Sequence, residues 1–383
     1  MKVVHVTLRF DAPGGVETNV REVTRRLVRT GVDAQVFASD LYDEARWERR
    51  TGYPPIVDGV PVRRFPVRKR LLPGLTLPMM PGLIDGLSAS GADLFHAHSH
   101  RYGHVLQTSA VAKKREIPLI VSTHYHPADL RESDWKRGLL RLQDVGFGMT
   151  AYRTARALVV ETQVEARLIR EFAPGDRVHV IPPGVDLEPW KETEVGDVPE
   201  LPPRYFLFAG RIAPNKGLPF LLDAFARLSP SDRIPLYLMG RDWGMRAQLE
   251  SQSAQLRISS DVRFLEVPAD PRMYRAIYRR ATAFVLPSEW EAFGLVALDA
   301  MAAHTPVIAT ARGGLPEVLR EGRAGRLVPY GNVNELASAL TEASRGSPQV
   351  KERVSLASSV VQEYSWDRCV ESHRTLYETL LNR

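Results

Sequence analysis

A chain of 383 residues with 44% hydrophobic and 25% charged content has a globular composition and is too long for one ordinary core, so two α/β domains are expected. Its one cysteine, Cys369, excludes an intramolecular disulfide framework and a cysteine-based zinc site, and fits a cytosolic compartment; no run of about 18 apolar residues exists to span a membrane, and Val3 to Thr7 is too short for a signal segment. The net charge of +6 suits a polyanion or an anionic bilayer surface, and equally plain solubility.

Val3 to Thr7 predicts a buried first strand. Val16, Val20, Val23 and Leu27 predict a helix over Val16 to Thr30. Between them lies Pro13-Gly14-Gly15, at the place of a phosphate-binding turn but without the G-x-G-x-x-G pattern; a plain tight turn reads equally well. Asp33 to Ser39 and Val60 to Val67 predict strands. Arg63 to Leu72 sets five basic residues among aromatic and aliphatic ones. That is the chemistry of an interfacial segment, cations for lipid phosphates and apolar groups for the headgroup boundary; a solvated loop with an edge strand is the plainer reading. Asp93 to His100 predicts a strand and its exit, with His96, His98 and His100 on one face. With His104, His124 and His126, six of the ten histidines fall between 96 and 126. Imidazoles so grouped raise a metal site, but no acidic cluster accompanies them beyond Asp93; structural histidines fit better and no metal is expected. Leu119 to Thr123 predicts a strand that delivers His124 to the ligand side of a parallel sheet. Arg131 to Thr154, with Trp135, predicts an amphipathic helical region broken near Gly146 and Gly148. Ala157 to Glu161 and Val178 to Ile181 predict strands, with a helix from Thr162 between them.

Glu188 to Pro203 is rich in Pro, Glu and Lys without periodicity and reads as a linker. Tyr205 to Phe208 opens a second parallel sheet. Arg211 and Lys216 then flank a strand-to-helix loop ending in Gly217, where a guanidinium fork and an ammonium would clamp a diphosphate. Helix Leu218 to Leu228 follows, then strands Pro235 to Met239 and Val262 to Leu265. Phe284-Val285-Leu286 is a strand, Pro287 to Phe293 a polar-aromatic loop, Gly294 the start of a helix, and Pro306 to Thr310 the next strand. Glu291 in that loop and Asp299 on that helix could hold hydroxyls of a sugar or ribose across the helix start, whose free N–H groups would face an anion. Asn332 and Glu335 predict a capping box for a helix to Ser344. Val350 to Tyr364 is helical, and Ser365 caps a final helix from Trp366 to Leu381.

Glu291 with Asp299 eight positions on, inside P-S-E-x-E-x-F-G and before T-P-V-I-A-T, resembles the E-x7-E segment of the family-4 retaining glycosyltransferases. Asp299 stands where Glu is usual, and His304 where a small residue is common. Gly210 to Gly217 is similar to that family's G-R…K-G loop. Gly14, Gly15 and Glu17 are similar to its G-G-x-E, the D-x-x-H-x-H string at 93–98 and Thr123-His124 to its strand ends, Pro182 to Asp186 to its P-x-G-V-D, and Gly313 to Glu317 to its G-G-x-P-E turn. Asp242 and its neighbours depart from the usual G-x-G by lengthening the turn between Gly240 and Gly244, and Glu266 stands where a glycine often reads the base.

The resemblance implies the GT-B fold, two Rossmann-like doubly wound domains facing across a cleft. Residues 1–187, joined by a C-terminal helix over 365–383, would bind the acceptor. Residues 188–203 would link them to the donor domain, 204–364. It implies a retaining transfer of a hexose-type sugar from a nucleotide-diphosphate donor to a hydroxyl of a glycan, a lipid-linked glycan or a small molecule. No cofactor, metal or nucleic acid is implied. Glu291, His124, Arg211 and Lys216 would serve catalysis. Donor contacts would come from Gly14, Gly15, Arg211, Lys216, Glu291, Phe293, Gly294, Leu295, Val296 and Asp299. The enzyme would be cytoplasmic, with Arg63 to Leu72 as a peripheral contact at the membrane's inner face. Three other readings stay open: a nucleotide-sugar epimerase or hydrolase of the same fold, a metal-dependent hydrolase using the histidines from His96 to His126, and a non-catalytic nucleotide-sugar subunit.

Overall fold

The computed structural model describes residues 1–12, 14–44, 46–72, 75–127, 146, 149–192 and 201–382. The chain forms two compact units. One holds Met1–Pro183 and Trp366–Arg383, the other Gly184–Ser365.

The N-terminal unit begins with β1 (Lys2–Val6), helix Gly15–Arg29 and β2 (Asp33–Ser39). Two short strands, β3 (Leu41–Asp43) and β4 (Glu48–Arg49), pair with each other, and β5 (Ile56–Val57) pairs antiparallel with β6 (Val60–Phe65). Next come the antiparallel pair β7 (Arg68–Leu72) and β8 (Leu75–Met79), helix Leu83–Ser88, β9 (Leu94–His98), helix Gly103–Arg115 and β10 (Leu119–Ser122). Helix Met149–Thr154, β11 (Ala157–Val160), helix Gln163–Arg170 and β12 (Val178–Val180) complete it. The sheet order is β12-β11-β10-β9-β1-β2-β6-β5. All pairs are parallel except β5 with β6. Buried on both faces, β10 and β11 are largely apolar runs, as parallel sheets covered by helices require; all four residues of each are buried.

The expected Arg63 to Leu72 segment is thus the end of β6, a two-residue link and β7. Of the helical region expected over Arg131 to Thr154, residues 131–145, 147 and 148 lie outside the described residues, as does Pro13 of the first glycine loop. The last helix, Trp366–Leu381, belongs to this unit: Arg26 stacks over Trp366 at 5.8 Å, and Tyr377 and His373 are buried.

The segment 188–203, read as a linker, starts with a short helix, Glu188–Lys191, where Trp190 is buried against the Tyr278 ring; its residues 193–200 lie outside the described residues. The strands of the C-terminal unit are β13 (Phe206–Ala209), β14 (Leu236–Met239), β15 (Val262–Leu265), β16 (Ala283–Leu286), β17 (Val307–Thr310) and β18 (Arg326–Val328). They form one parallel sheet in the order β15-β14-β13-β16-β17-β18. Helices Leu218–Ala226, Arg246–Gln255, Pro271–Arg280, Leu295–Ala302 and Val333–Arg345 cross over between or after strands. Asn332 does cap the last of these, accepting from the Glu335 N–H at 3.1 Å. The reciprocal half of the expected box is absent, because the Glu335 carboxylate turns to Arg326 instead, at 3.0 Å. Helix Pro348–Val360 then leads to the unit's end.

Among the described residues no helix is long and apolar enough to cross a membrane.

Candidate functional site

Strand order decides where each unit can bind a ligand. In the C-terminal unit the chain runs outward from β13 through β14 to β15, then returns to the other side of β13 with β16. The order therefore reverses between β13 and β16, and the loops at their carboxyl ends diverge from a topological switch point, the usual ligand crevice of an open α/β sheet. Those loops carry Arg211 to Gly217 and Pro287 to Gly294. Two motifs read separately in the sequence meet here.

The Lys216 ammonium lies 2.5 Å from Glu291 Oε1, with the two side chains 12% and 14% exposed. Ser288, which the motif contained without a role, donates to the same oxygen at 2.6 Å. Burial alone would raise the Glu291 carboxyl; Lys216, then Ser288 and Arg211, outweigh it and hold the group ionised, below the usual carboxylate range. The loops are also tied through backbone. Glu289 N–H donates to the Asn215 carbonyl at 3.0 Å, and Gly314 N–H to the Glu291 carbonyl at 2.8 Å. Two glycines permit this closeness. Gly217 has φ +64° and would drive a Cβ into the Pro287 carbonyl; Gly313 has φ +60° and would drive one into the Glu291 carbonyl.

Arg211 stacks over the Trp243 ring at 4.6 Å. This gives the lengthened Gly240–Gly244 turn a structural purpose. Asp242 Oδ1 accepts from the N–H groups of Gly244, Met245 and Arg246, at 2.9, 2.9 and 3.1 Å, and Trp243 N–H donates to the Ile212 carbonyl at 2.9 Å. The turn thereby holds an aromatic face under the guanidinium, leaving its charge available to an anion.

Gly294 precedes the helix Leu295–Ala302, whose first-turn N–H groups and dipole face the same crevice. Phe293 does not offer its ring to a ligand: it is buried edge-on against Tyr364 at 5.4 Å, so only its backbone is available. Leu295 and Val296 are half-buried. Asp299 is not a free carboxylate. Its Oδ2 accepts from the Tyr274 hydroxyl at 2.8 Å, and the Tyr278 hydroxyl lies 3.1 Å behind that. Burial pushes the Asp299 carboxyl up to about 6, against the Tyr274 hydrogen bond. Neither tyrosine carried a signal in the sequence beyond helical spacing. Glu266 and Val267 follow β15 and are exposed.

In the N-terminal unit the order reverses between β1 and β9. Gly14 sits directly on the Glu17 carboxylate, and Gly15 starts the helix. Glu17 itself is committed to Arg9 at 2.7 Å, a buried pair. Beyond β10, His124 Nδ1 lies 3.0 Å from Glu161 Oε1. The histidines do not gather as the sequence suggested. His96 and His98 group with His5, which the sequence reading passed over, and ligand atoms of the three lie within 4.8 Å of one another. His5 Nδ1 and His98 Nε2 are 3.0 Å apart, and His96 is bonded on one side to Tyr377 at 2.7 Å and on the other to Ser122 at 2.8 Å. Burial holds all three well below the usual imidazole range, so the cluster is neutral. His104 turns to the His98 carbonyl at 2.7 Å and His100 to the Tyr152 hydroxyl at 2.5 Å. Both ring nitrogens of His96 are thus already hydrogen-bonded.

Comparison with known proteins agrees with this geometry. Residues 192–358 match the family model for glycosyl transferases group 1, and residues 13–189 that for glycosyltransferase family 4. The chain is 30% identical to a D-inositol 3-phosphate glycosyltransferase of Streptomyces bingchenggensis, over 95% of this chain and 84% of that one. It is 35% identical to D-inositol 3-phosphate glycosyltransferase 1 of Catenulispora acidiphila, over 82% and 78%. Among solved structures, sucrose-phosphate synthase from Thermosynechococcus elongatus superposes with a TM-score of 0.78 at 20% identity, covering 100% of this chain and 99% of that one. HepE of Anabaena in complex with UDP-glucose gives 0.75 at 19%, covering 99% and 100%.

Proposed function

The chain belongs to the family-4 (group 1) glycosyltransferases, with their GT-B fold, and from that premise we propose that it moves a hexose-type sugar from a nucleoside-diphosphate donor to an acceptor hydroxyl with retention of configuration. The observation that carries the reading is the ion pair of Lys216 with Glu291 at the switch point of the C-terminal sheet, with Arg211 beside it.

Departure of a nucleoside diphosphate concentrates negative charge on its terminal phosphate. Lys216 and Arg211 meet that charge, and the first turn of the helix after Gly294 adds its field; preorganised donors of this kind supply most of the stabilisation in group transfer. Glu291, kept ionised, accepts from hydroxyls of the sugar and fixes its orientation. Asp299 offers its remaining oxygen to the ribose, with Tyr274 holding the other. With two protein cations at the phosphates, charge neutralisation does not require a metal ion. Acceptor binding falls to the N-terminal unit, whose His124 donates to a substrate oxygen there. The relatives' names make an inositol phosphate the first acceptor to test, and the HepE complex makes UDP-glucose the first donor.

The test is transfer of labelled sugar from a panel of nucleotide sugars, with the anomeric configuration of the product read by NMR. Donor-dependent product with the donor's configuration supports the reading. Release of free sugar alone, or an inverted product, overturns it. The reading extends to a peripheral contact of Arg63 to Leu72 with an anionic bilayer on the cytoplasmic side. Equal sedimentation with phosphatidylserine and neutral vesicles would remove that part.

A further inference from the structure

His124 follows β10 with φ +42°, a left-handed conformation that a non-glycine residue holds only under constraint. The constraint is a single buried carboxylate. Glu165 Oε1 accepts from the Thr123 hydroxyl at 2.5 Å and from the Tyr125 N–H at 2.6 Å, the residues on either side of His124. Its Oε2 accepts from the Glu161 N–H at 2.8 Å. Thr162 caps the helix that carries Glu165 by accepting from its N–H at 3.2 Å, which fixes where that carboxylate stands. The turn after β10 and the turn after β11 are thus locked to each other through Glu165.

Across this lock, Glu161 places Oε1 3.0 Å from His124 Nδ1, with the two side chains 11% and 7% exposed. His124 Nε2 is buried and has no hydrogen-bond partner among the described residues. A buried nitrogen left so has lost its water without a replacement, a cost that a bound oxygen would offset. It lies at the carboxyl end of β10, the end at which open α/β sheets take ligands.

We propose that Glu161 and Glu165 are positioning residues for His124 in the transfer reaction: Glu165 clamps the turn, and Glu161 holds the Nδ1–H, so that Nε2 meets a substrate oxygen in one orientation. The geometry stands alone; its use in catalysis rests on the reading of the chain as a sugar transferase.

The electrostatics agree. Burial alone would lower the His124 pKa, but Glu161 outweighs it and raises the value, with Glu165 and Glu17 adding to the effect. The other groups facing the ring are the buried imidazoles of His98, stacked at 5.9 Å, His96 and His373, all held neutral. With Nδ1–H committed to Glu161, protonated His124 presents Nε2–H as a donor. It loses that donor as pH rises through its raised pKa.

Two readouts test this on the full chain. The first is an NMR titration of the histidine side chains in wild type and Glu161→Gln, with the His124 signal assigned by His124→Gln. His124 should titrate above about 6.5 in wild type and at or below it in the variant. The second is steady-state transfer. Glu161→Gln should lower kcat about 10–100-fold, the range typical when the carboxylate that orients a metal-bound histidine is removed, and move the alkaline limb of the pH profile toward acid. Glu161→Asp should recover part of both, and Glu165→Gln should lower kcat and move the limb less than Glu161→Gln does. Nucleotide-diphosphate binding should stay at the wild-type level in all three. An unchanged His124 titration, or unchanged kcat in Glu161→Gln, overturns the proposal. If wild type transfers no sugar, the functional reading has failed, and the titration still decides whether Glu161 holds His124.

Discussion

Replacing Lys216 by alanine separates two contributions of one side chain. The ammonium is 2.5 Å from Glu291 Oε1, and both partners are nearly nine-tenths buried. Removing one member of a buried pair costs about 3–5 kcal/mol because the other charge is stranded. Here Ser288 and Arg211 remain to Glu291, so the lower end, about 3 kcal/mol, is expected. For a unit of this size that is a fall in Tm of roughly 6–12 °C. Catalysis should fall further. Loss of one preorganised charge at the leaving group costs about 10²–10³ in kcat, or about 2.7–4 kcal/mol. The double variant Lys216→Ala/Glu291→Gln tells the two apart. It no longer strands a carboxylate, so Tm should return most of the way to wild type while turnover stays lost. Differential scanning fluorimetry and sugar-transfer kinetics on the same samples give both numbers. Wild-type turnover in Lys216→Ala, or recovery of turnover together with Tm in the double variant, would refute the assignment of Lys216 to the leaving group.

Three further outcomes follow from the same geometry. Because burial raises Asp299 to about 6, its ionisation opposes folding increasingly from about pH 4 up to about pH 6 and fully above that; Asp299→Asn should therefore raise Tm at pH 7.5 and match wild type below pH 4, and equal Tm at pH 7.5 would count against a buried carboxylate there. The buried imidazoles run the opposite way: His5 is lowered to about 3 and His104 and His373 to about 4, so the stability they contribute is present above about 6.5 and lost as pH falls toward 4, and a circular dichroism titration showing full stability at pH 4.5 would contradict it. Gly313→Ala, which forces a Cβ toward the Glu291 carbonyl at φ +60°, should lower kcat by up to about 10²-fold through displacement of the Glu291 loop, and unchanged kcat would show that this loop tolerates the shift.

The parts legible in the sequence were local. P-S-E-x-E-x-F-G and G-R…N-K-G are each a strand, a loop and a helix start within a few residues, and their chemistry could be read without knowing the fold. What joins them is the adjacency of β13 and β16, which brings Lys216 to Glu291 across 75 positions. No periodicity carries that information. The same limit hid Tyr274 from Asp299, on neighbouring helices 25 positions apart. It also hid Tyr377, which reaches His96 from 281 positions away. His5 was invisible for another reason. It sits in an apolar strand, and alternation from His96 alone could not show that the neighbouring strand supplied a third imidazole. The expected capping box at Asn332 failed in its second half because Arg326, from β18, offers Glu335 a charge where the backbone offers only an N–H.

In the proposed function the C-terminal unit binds a nucleoside diphosphate through Arg211 and Lys216. Isothermal titration calorimetry of wild type and Lys216→Ala with UDP, GDP, ADP, dTDP and CDP, with and without EDTA, tests it directly. One diphosphate should be preferred, its affinity should be unaffected by EDTA, and binding should be at least about tenfold weaker in the variant. Equal affinity in both proteins, or no binding of any nucleotide by wild type, would contradict it.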